Sequence, residues 1–344
     1  MIPGHSTSYD VARAAGVSQS TVSRALRDDP RVSIATRERI REIAASIDYV
    51  PNIMAQSLIT GLNRSIAVIA ADLQNPVYPQ LVDAVQTTLT ERGYRMLLVA
   101  DSSEGGREKD LDSLRGGLVA GALFMQARVN STLAEDLVAT GLPLVVVGRD
   151  ITSPNAHLID RFVANSTGGG TMIADYLFDL GHRRIGMITG PENNPSITFR
   201  ETSFRTRLAE LGVEIDPALV RRGPIEHATG LTMGTELLSL DERPSVIYCG
   251  TDFIAFGMLD AAARLGLKVP HDIQVIGYDD LAMASWSMFD LTTIRQPLAL
   301  IASTATHRLL DRIEGVATGA AQRNVFDVEL IERGTTARLH PAHT

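Results

Sequence analysis

The sequence predicts a protein in two parts: a small all-α unit at the N-terminus and a larger α/β body built on parallel sheets. Residues 9–26 contain two short helical segments joined by a tight turn, and from Ser65 onward short apolar segments alternate with helical ones. Strand–helix alternation of this length is typical of parallel sheets whose two faces are covered by helices. The chain has 344 residues, which suits two or three units.

The N-terminal segment has the signals of a helix-turn-helix. Asp10–Ala15 predict a first helix because Ala and Arg are strong helix formers, and Gly16 ends it because glycine adopts a positive φ at low cost. Ser18 is a suitable N-cap for a second helix, Gln19–Leu26. The outward face of that helix carries only side chains that can hydrogen-bond: Gln19, Ser20, Thr21, Ser23 and Arg24. A polar face of this kind is typical of a helix that enters a DNA major groove. The alternative interpretation of the two helices is an ordinary helical hairpin in a protein core.

The charge is distributed unevenly along the chain. Residues 1–64 contain eight arginines and six acidic residues, a net +2, so the total of −8 leaves −10 on the remainder. An acidic body behind a mildly basic N-terminal unit is typical of a protein that contacts nucleic acid only through that unit. The single Cys249 excludes an internal disulfide framework and indicates a reducing compartment. Neither a signal peptide nor a membrane-spanning segment is predicted, so a cytoplasmic protein is expected.

A third helix and a short hinge follow the helix-turn-helix. Ile40, Ile43, Ala44 and Ile47 recur at helical spacing, and Pro51 must end that helix because it disfavours helical geometry at the residue before it. Asn52 is able to cap a further helix that stops at Thr60-Gly61. A helix this short is unstable alone in water, so we expect it to form only against a partner.

Residues 9–58 resemble the head of the lac-repressor/galactose-repressor family of bacterial transcription regulators. The resemblance rests on the segments Asp10-Val11-Ala12, Ala15-Gly16-Val17-Ser18, Thr21-Val22-Ser23-Arg24, Thr36-Arg37 and Tyr49-Val50-Pro51-Asn52. It implies that Gln19, Ser20 and Arg24 read base edges. It implies that the residues that hold phosphates are Tyr9, Ser18, Thr21 and Arg37. Ala55 and Leu58 would belong to the hinge, with the leucine wedged into the minor groove.

The body alternates predicted strands and helices. The predicted strands are Ile66–Ala71, Arg95–Val99, Gly121–Met125, Leu144–Val147, Ile185–Thr189, Val246–Cys249 and Ile273–Ile276. The predicted helices are Tyr78–Arg92, Arg107–Leu118, Ser131–Ala139, Thr167–Leu180, Phe199–Leu211, Ala228–Leu238, Phe253–Leu265 and Leu298–Ile313. Ligands of such folds bind at the carboxyl ends of the strands, where polar residues gather in this sequence. The glycines Gly168–Gly170 lack a phosphate-loop lysine, so we interpret them as a site of close packing.

The body resembles the same family along nearly its whole length. The matching segments are Asn75-Pro76, Gly181-His182-Arg183-Arg184-Ile185, Pro270, Gly277-Tyr278-Asp279-Asp280 and Leu291–Pro297. The resemblance implies a periplasmic-binding-protein-like body, with two α/β lobes, three crossovers and an effector in the cleft. The implied domains are a helix-turn-helix head at 1–50, a hinge helix at 51–61 and an effector-binding and dimerisation body at 62–344. Lobe 1 would hold about 62–162 and 292–323, and lobe 2 about 163–291 and 324–341.

Positions that match the family imply the effector-binding residues. They are Tyr78, Arg149, Asp160, Arg200, Thr251, Asp252, Asp279 and Gln296. Two departures matter: Ser203 replaces a glycine of the pattern, and Ile225 stands where an aromatic residue often closes the pocket. Without that aromatic residue a planar purine is less favoured as the effector, whereas a sugar is neither favoured nor disfavoured. Asp279 has the alternative role of capping a loop.

The combined prediction is a homodimeric repressor that binds double-stranded operator DNA, most simply at carbohydrate-use genes, and is controlled by a small sugar-like effector. The alternatives are a regulator that depends on a purine or another metabolite as corepressor, and a solute-binding protein. The sequence has no nucleophile elbow, zinc-ligand spacing or phosphate loop, so we expect neither enzymatic activity nor a cofactor.

Overall fold

The structure is a computed structural model that describes residues 6–49, 63–70, 73–100, 114–125, 133–151 and 154–339. The chain divides into two compact units, Met1–Asn63 and Arg64–Thr344, called the head and the body below. The predicted hinge, with Ala55 and Leu58, lies outside the described residues. No helix in the described ranges is both long enough and apolar enough to cross a membrane.

The head packs three helices around a small apolar core. The helices are α1 (Ser8–Ala15), α2 (Gln19–Ala25) and α3 (Ile34–Ser46). Val11, Val22 and Ile40, one from each helix, are at most 1% exposed and form the centre of this core. Gly16 has a φ of 63° and ends α1, as the sequence predicts. The Oγ of Ser18 accepts a hydrogen bond from the Thr21 N–H at 3.2 Å and so caps α2.

The first lobe of the body is organised around a six-stranded parallel sheet in the order β11-β5-β4-β3-β1-β2. Its strands are β1 (Ser65–Ala70), β2 (Arg95–Ala100), β3 (Gly121–Phe124), β4 (Leu144–Gly148), β5 (Asp160–Ala164) and β11 (Arg323–Phe326). The helices of this lobe are α4 (Val77–Glu91), α5 (Leu133–Ala139) and α10 (Leu298–Ile313), with a π-helical turn at Leu114–Leu118. Buried aliphatic clusters cover both faces of the sheet, which is the arrangement that an all-parallel sheet requires.

The second lobe contains a four-stranded parallel sheet in the order β7-β6-β8-β9. Its strands are β6 (Ile185–Thr189), β7 (Val220–Arg222), β8 (Val246–Cys249) and β9 (Gln274–Ile276). Its helices are α6 (Ser166–Asp179), α7 (Pro195–Glu210), α8 (His227–Leu238) and α9 (Asp252–Arg264). A separate antiparallel pair joins β10 (Thr293–Arg295) to β12 (Glu329–Ile331). Helix α7 begins four residues before its predicted start, because Asn194 caps it and Pro195 occupies its first turn.

The chain passes between the lobes three times. It leaves the first sheet after Ala164, returns between Arg295 and Leu298, and leaves again after Phe326. Strands β5 and β11 pair with each other to their ends, so both strands belong entirely to the first lobe.

Two of the three glycines, Gly169 and Gly170, lie at close contacts inside the second lobe. A methyl group added at Gly170 would overlap the backbone carbonyl of Arg200, and one added at Gly169 would overlap the hydroxyl of Tyr278. The absence of a side chain at Gly170 therefore lets the backbone that carries Arg200 approach α6 closely. This contact fixes the position of one wall of the cleft between the lobes.

Asp252 is a buried brace of the second lobe. It is the first residue of α9 and is fully buried. Its Oδ2 accepts the Leu281 N–H at 2.8 Å, and its Oδ1 accepts the Thr293 hydroxyl at 2.5 Å. Burial raises the pKa of Asp252, and the negative charge of Asp279 raises it further. The carboxyl group thereby joins α9 to the loop after β9 and to β10.

Replacing Gly170 by Ala is expected to lower the free energy of unfolding by about 1–3 kcal/mol, because the new methyl group has no space beside Arg200. The loss should appear although Ala is the better helix former by about 1 kcal/mol. Urea unfolding measures it. Thr167→Ala, an exposed change in the first turn of the same helix, is the control and should alter stability by under about 0.5 kcal/mol. Equal stability of the two variants would contradict the close helix approach.

Asp252→Asn is expected to flatten the pH dependence of stability. Because burial raises the pKa of Asp252 above its ordinary value of 3.8, the folded chain holds a proton that the unfolded chain releases. The contribution of Asp252 to the free energy of unfolding therefore falls as pH rises above that value. Between about pH 5 and pH 8 the variant should lose less stability than the native chain, as measured by urea unfolding. The exposed Asp241→Asn is the control, and a native profile parallel to that of Asp252→Asn would refute the expectation.

Candidate functional site

The outward face of α2 carries the side chains predicted to read DNA bases. Ser20 and Arg24 are exposed, and Gln19 is partly exposed with its Nε2 donating to Ser8 Oγ at 3.3 Å. All three lie on one helix whose opposite face is held by the head core. The geometry therefore presents a rigid polar surface of hydrogen-bonding groups.

The predicted phosphate-contacting residues surround that surface. Tyr9 on α1 is 69% exposed. The hydroxyls of Ser18 and Thr21 lie 2.8 Å apart at the start of α2. Arg37 on α3 is less available, because its Nη1 lies 3.2 Å from Asp28 Oδ1. Asp28 has no predicted role, although an acidic residue beside arginines in a basic head is a recognisable signal.

A small cavity, with a volume of about 50 Å³, lies in the body and is lined from both lobes. It is located at the carboxyl ends of the strands, where α4, α7 and α9 begin. Six of the eight predicted effector-binding residues line it: Tyr78, Arg149, Arg200, Thr251, Asp279 and Gln296. Asn194 and Ser196 line it as well and are not among the predicted effector-binding residues, although they follow β6 and polar residues at strand ends are the predicted signal of a ligand site.

The polar centre of the cavity is an ion pair between Arg200 and Asp279. Arg200 Nη1 lies 3.3 Å from Asp279 Oδ1 and also donates to the Gly250 carbonyl at 3.1 Å. The guanidinium lies over the Tyr278 ring at 3.6 Å from its centroid. Gln296 Nε2 donates to Asp279 Oδ1 at 2.7 Å. Both ionic side chains are almost fully buried, at 6% and 3% exposed.

These neighbours determine the pKa of Asp279 and the hydrogen bonds that it is able to accept. Burial raises the pKa of Asp279, while Arg200 opposes that rise by stabilising the carboxylate. Both protein donors bind Oδ1, and no donor among the described residues binds Oδ2. Asp279 is therefore able to accept a hydrogen bond from a ligand hydroxyl without losing its own partners. Its φ of 128° lies in the region that favours glycine, so the backbone is strained where it places this group.

Asp160 and Asp252 do not line the cavity. Asp160 is at the amino end of β5, the opposite end of the sheet, where its Oδ2 lies 2.8 Å from Arg312 Nε and 3.2 Å from Arg308 Nε. Burial alone raises the pKa of Asp160, but hydrogen bonds from these arginines and from Gln322 lower it overall. Asp252 is occupied by the internal bonds described above. Each of the two carboxylates therefore makes stabilising contacts away from the cavity, Asp160 within the first lobe and Asp252 within the second.

No group of three or more His, Cys, Asp or Glu side chains within the described ranges is arranged to hold a metal ion. Cys249 is fully buried, and burial raises its pKa far above the ordinary value, so it is not a reactive thiolate.

Comparisons with known proteins match a family to each of two ranges of the chain. Residues 7–52 match the family described as bacterial regulatory proteins, lacI family, and residues 174–336 match a periplasmic binding protein-like domain. The chain is 32% identical over 336 residues to the HTH-type transcriptional repressor CytR of Escherichia coli (strain K12), with 97% of each protein covered.

Two solved structures share the fold over nearly the whole chain. The lac repressor dimer bound to operator and the anti-inducer ONPF has a TM-score of 0.83 at 27% identity, covering 96% of this chain and 99% of that one. The complex of the transcriptional regulator CelR with cellobiose has a TM-score of 0.74 at 28% identity, covering 96% of this chain and 100% of that one. They confirm the predicted fold class.

The relatives are transcriptional repressors and regulators, which confirms the prediction that this chain is not an enzyme. The polar helix α2, the two-lobed body and a repressor relative that matches along nearly the whole chain agree with one another. The chain belongs to the lacI family of bacterial regulatory proteins and is a DNA-binding transcriptional repressor.

Proposed function

We propose that the chain acts as a homodimer that represses carbohydrate-use genes from a near-palindromic operator and is controlled allosterically by a sugar-like effector bound between the lobes. The observation that carries this proposal is the combination of the polar face of α2 with a cavity that presents the Arg200–Asp279 pair. One surface suits base recognition, and the other suits a small hydroxylated ligand.

In this proposal α2 enters the major groove. Gln19, Ser20 and Arg24 read base edges, because amide and guanidinium groups form paired hydrogen bonds with purines there. Phosphates are held by Tyr9, Ser18, Thr21 and Arg37, which fix the register of the head on the duplex.

The dimer follows from the small size of the head. Three short helices bury little DNA surface, so two heads are needed to read a site with half-sites about one helical turn or a multiple apart. The lac repressor structure, to which this chain is similar, is a dimer bound to operator. In the proposal Ala55 and Leu58 form the minor-groove hinge between head and body, and effector binding changes operator affinity through that hinge.

A hydroxylated effector fits the polar groups of the cavity. Asp279 Oδ2 is available to a ligand hydroxyl, and Asn194, Ser196 and Thr251 add amide and hydroxyl groups. The similar regulator CelR was solved in complex with cellobiose, which supports a carbohydrate by analogy.

The second candidate is a purine or another planar metabolite. Among the described lining residues Tyr78 supplies the single aromatic ring, and the Arg149 guanidinium lies over it at 5.4 Å from the ring centroid. Ile225 lines the cavity where an aromatic residue would be needed to sandwich a purine. Both observations favour the hydroxylated ligand.

A thermal-shift screen of carbohydrates, carbohydrate phosphates and purines tests the effector class, since a ligand of the folded state raises Tm. An electrophoretic shift of upstream intergenic DNA, with and without each hit, then tests the switch. Stabilisation by purines alone would reject the sugar-like effector, and a hit that leaves the DNA complex unchanged would reject the allosteric control.

Arg24→Ala is expected to weaken binding to the selected operator by about 1–3 kcal/mol while leaving binding to unrelated DNA nearly as strong as that of the control. The operator is first selected from a random duplex pool, and binding is measured by fluorescence anisotropy. Arg27→Ala is the matched control, because Arg27 carries the same charge and is also exposed but donates to the Ser23 carbonyl. Equal operator loss in the two variants would remove Arg24 from base recognition.

Asp28→Asn is expected to strengthen binding to unrelated DNA a few-fold, because Asp28 forms ion pairs with Arg37 and Arg41 and so competes with phosphate. One additional phosphate contact steepens the slope of log K against log salt by about 0.9. Asparagine tolerates the φ of 59° at this position. Asp48→Asn is the control, since Asp48 also has a positive φ and forms no ion pair within the described residues. An equal change in both variants would show that net charge alone is responsible.

A further inference from the structure

The cavity between the lobes has an imbalance of charge. Two arginines, Arg149 and Arg200, line it, whereas Asp279 is the single acidic group among its described lining residues. Asp279 is already paired with Arg200. Arg149 therefore has no carboxylate partner among the described residues, and its contact there is with the face of the Tyr78 ring.

The acidic residues adjacent in sequence to the lining residues already form ion pairs or hydrogen bonds outside the cavity. Asp150, next to Arg149, lies 3.2 Å from Arg161 Nη1 and 2.8 Å from Arg323 Nε. Asp280, next to Asp279, lies 2.6 Å from both Arg295 Nε and Arg333 Nη2. The internal bonds of Asp252 remove the third nearby carboxyl group from the cavity. Among the described residues, none of these three carboxyl groups is available to pair with Arg149, so this guanidinium is able to take an anionic partner from a bound molecule.

The second arginine also has unused hydrogen-bonding capacity. Arg200 is 5% exposed, and its buried Nε has no acceptor among the described residues. A guanidinium in such surroundings favours a planar or tetrahedral oxyanion, which accepts two hydrogen bonds at once. Burial without a complete set of acceptors is costly, so a ligand that supplies an acceptor oxygen gains affinity.

The positive ends of two helix dipoles add to the positive charge of the arginines in the cavity. Residues of the first turns of α4 and α7 line the cavity, and neither first turn contains an acidic residue. The N-terminal ends of helices attract anions. Arg149 and Arg200 both stabilise the carboxylate form of Asp279 against the effect of burial, which raises its pKa, so both guanidinium groups act on the same point of the cavity.

We infer that the effector is a hydroxylated anion whose carboxylate or phosphate group binds Arg149, while one of its hydroxyl groups binds Asp279. This inference rests on the proposed function and narrows its sugar-like effector to an acidic carbohydrate derivative. Among the described residues, a neutral sugar leaves Arg149 without an anionic partner, and an anion without hydroxyl groups leaves Asp279 Oδ2 without a donor.

Matched pairs of probes test the charge requirement. Glucose is compared with glucuronate and glucose 6-phosphate, and glycerol with glycerate and glycerol phosphate, by isothermal titration and thermal shift on the full chain. Inorganic phosphate is included, and sodium chloride keeps the ionic strength constant. In the native chain each anionic member should bind more tightly than its neutral partner, and the carboxylate and phosphate arms identify which oxyanion is preferred.

Variants assign the effect to Arg149. Arg149→Met should weaken binding of the preferred anion at least about tenfold and leave the neutral partner unchanged. Arg149→Lys should retain part of the preference, because it keeps the charge and loses the paired geometry. Arg264→Met, which removes an exposed arginine of α9, is the control and should bind like the native chain.

Neutral members that bind as tightly as the anions, no stabilisation by any anion beyond chloride, or equal binding by Arg149→Met and the native chain would each overturn the inference. None of these results affects the repressor function itself, because selection of an operator by the native chain is measured without any of the probes. Failure to select a DNA sequence would overturn the proposed function and leave the measured ligand preference standing.

Discussion

The buried ion pair between Arg200 and Asp279 is the interaction on which the cleft depends. Removing two charges from water is costly, and their attraction compensates only when the remaining hydrogen-bonding groups are satisfied. The Gly250 carbonyl and the Gln296 amide supply such bonds, and the Tyr278 ring covers the guanidinium. Loss of either charged partner would leave the other buried and uncompensated. The pair therefore holds two strand ends of the second lobe to residue 296, where the chain returns to the first lobe.

The backbone at the end of β9 connects that pair to the passages between the lobes. Asp279 and Asp280 both have positive φ angles, 128° and 53°, and their side chains have different tasks. Asp279 lines the cavity and is paired with Arg200. Asp280 lies 2.6 Å from both Arg295, at the end of β10, and Arg333, just after β12. A ligand that moves the first carboxylate acts on a peptide unit shared with the second. A single peptide unit thus connects the cavity to the arginines at β10 and after β12, close to the passages between the lobes. It gives a bound ligand a short physical path to the relative position of the lobes.

Local signals in the sequence predicted the head and most of the body, since a glycine at a helix end and a serine cap act through neighbouring atoms alone. All seven predicted body strands are present, within one residue at their described ends. The missed strands β5, β7 and β10–β12 are short or partly polar, so pairing with distant segments, not their own pattern, makes them strands. The site shows the same limit. Asp279 and Asp252 both follow strand ends, and only the packing of the lobes buries one of them as a brace while the other faces the cavity.

The distribution of acidic residues determines where this chain is able to bind anions. The body carries a large net negative charge, yet many of its carboxylates are paired with arginines, and the cavity retains an excess of positive charge. The same body charge repels DNA, so contact with a duplex falls to the head. Within the head, Asp28 neutralises part of the arginine charge of α3, which weakens binding to any phosphate backbone. Specificity is a difference between two affinities, and lowering the non-specific one leaves the choice of site to the side chains of α2 that we propose read the bases.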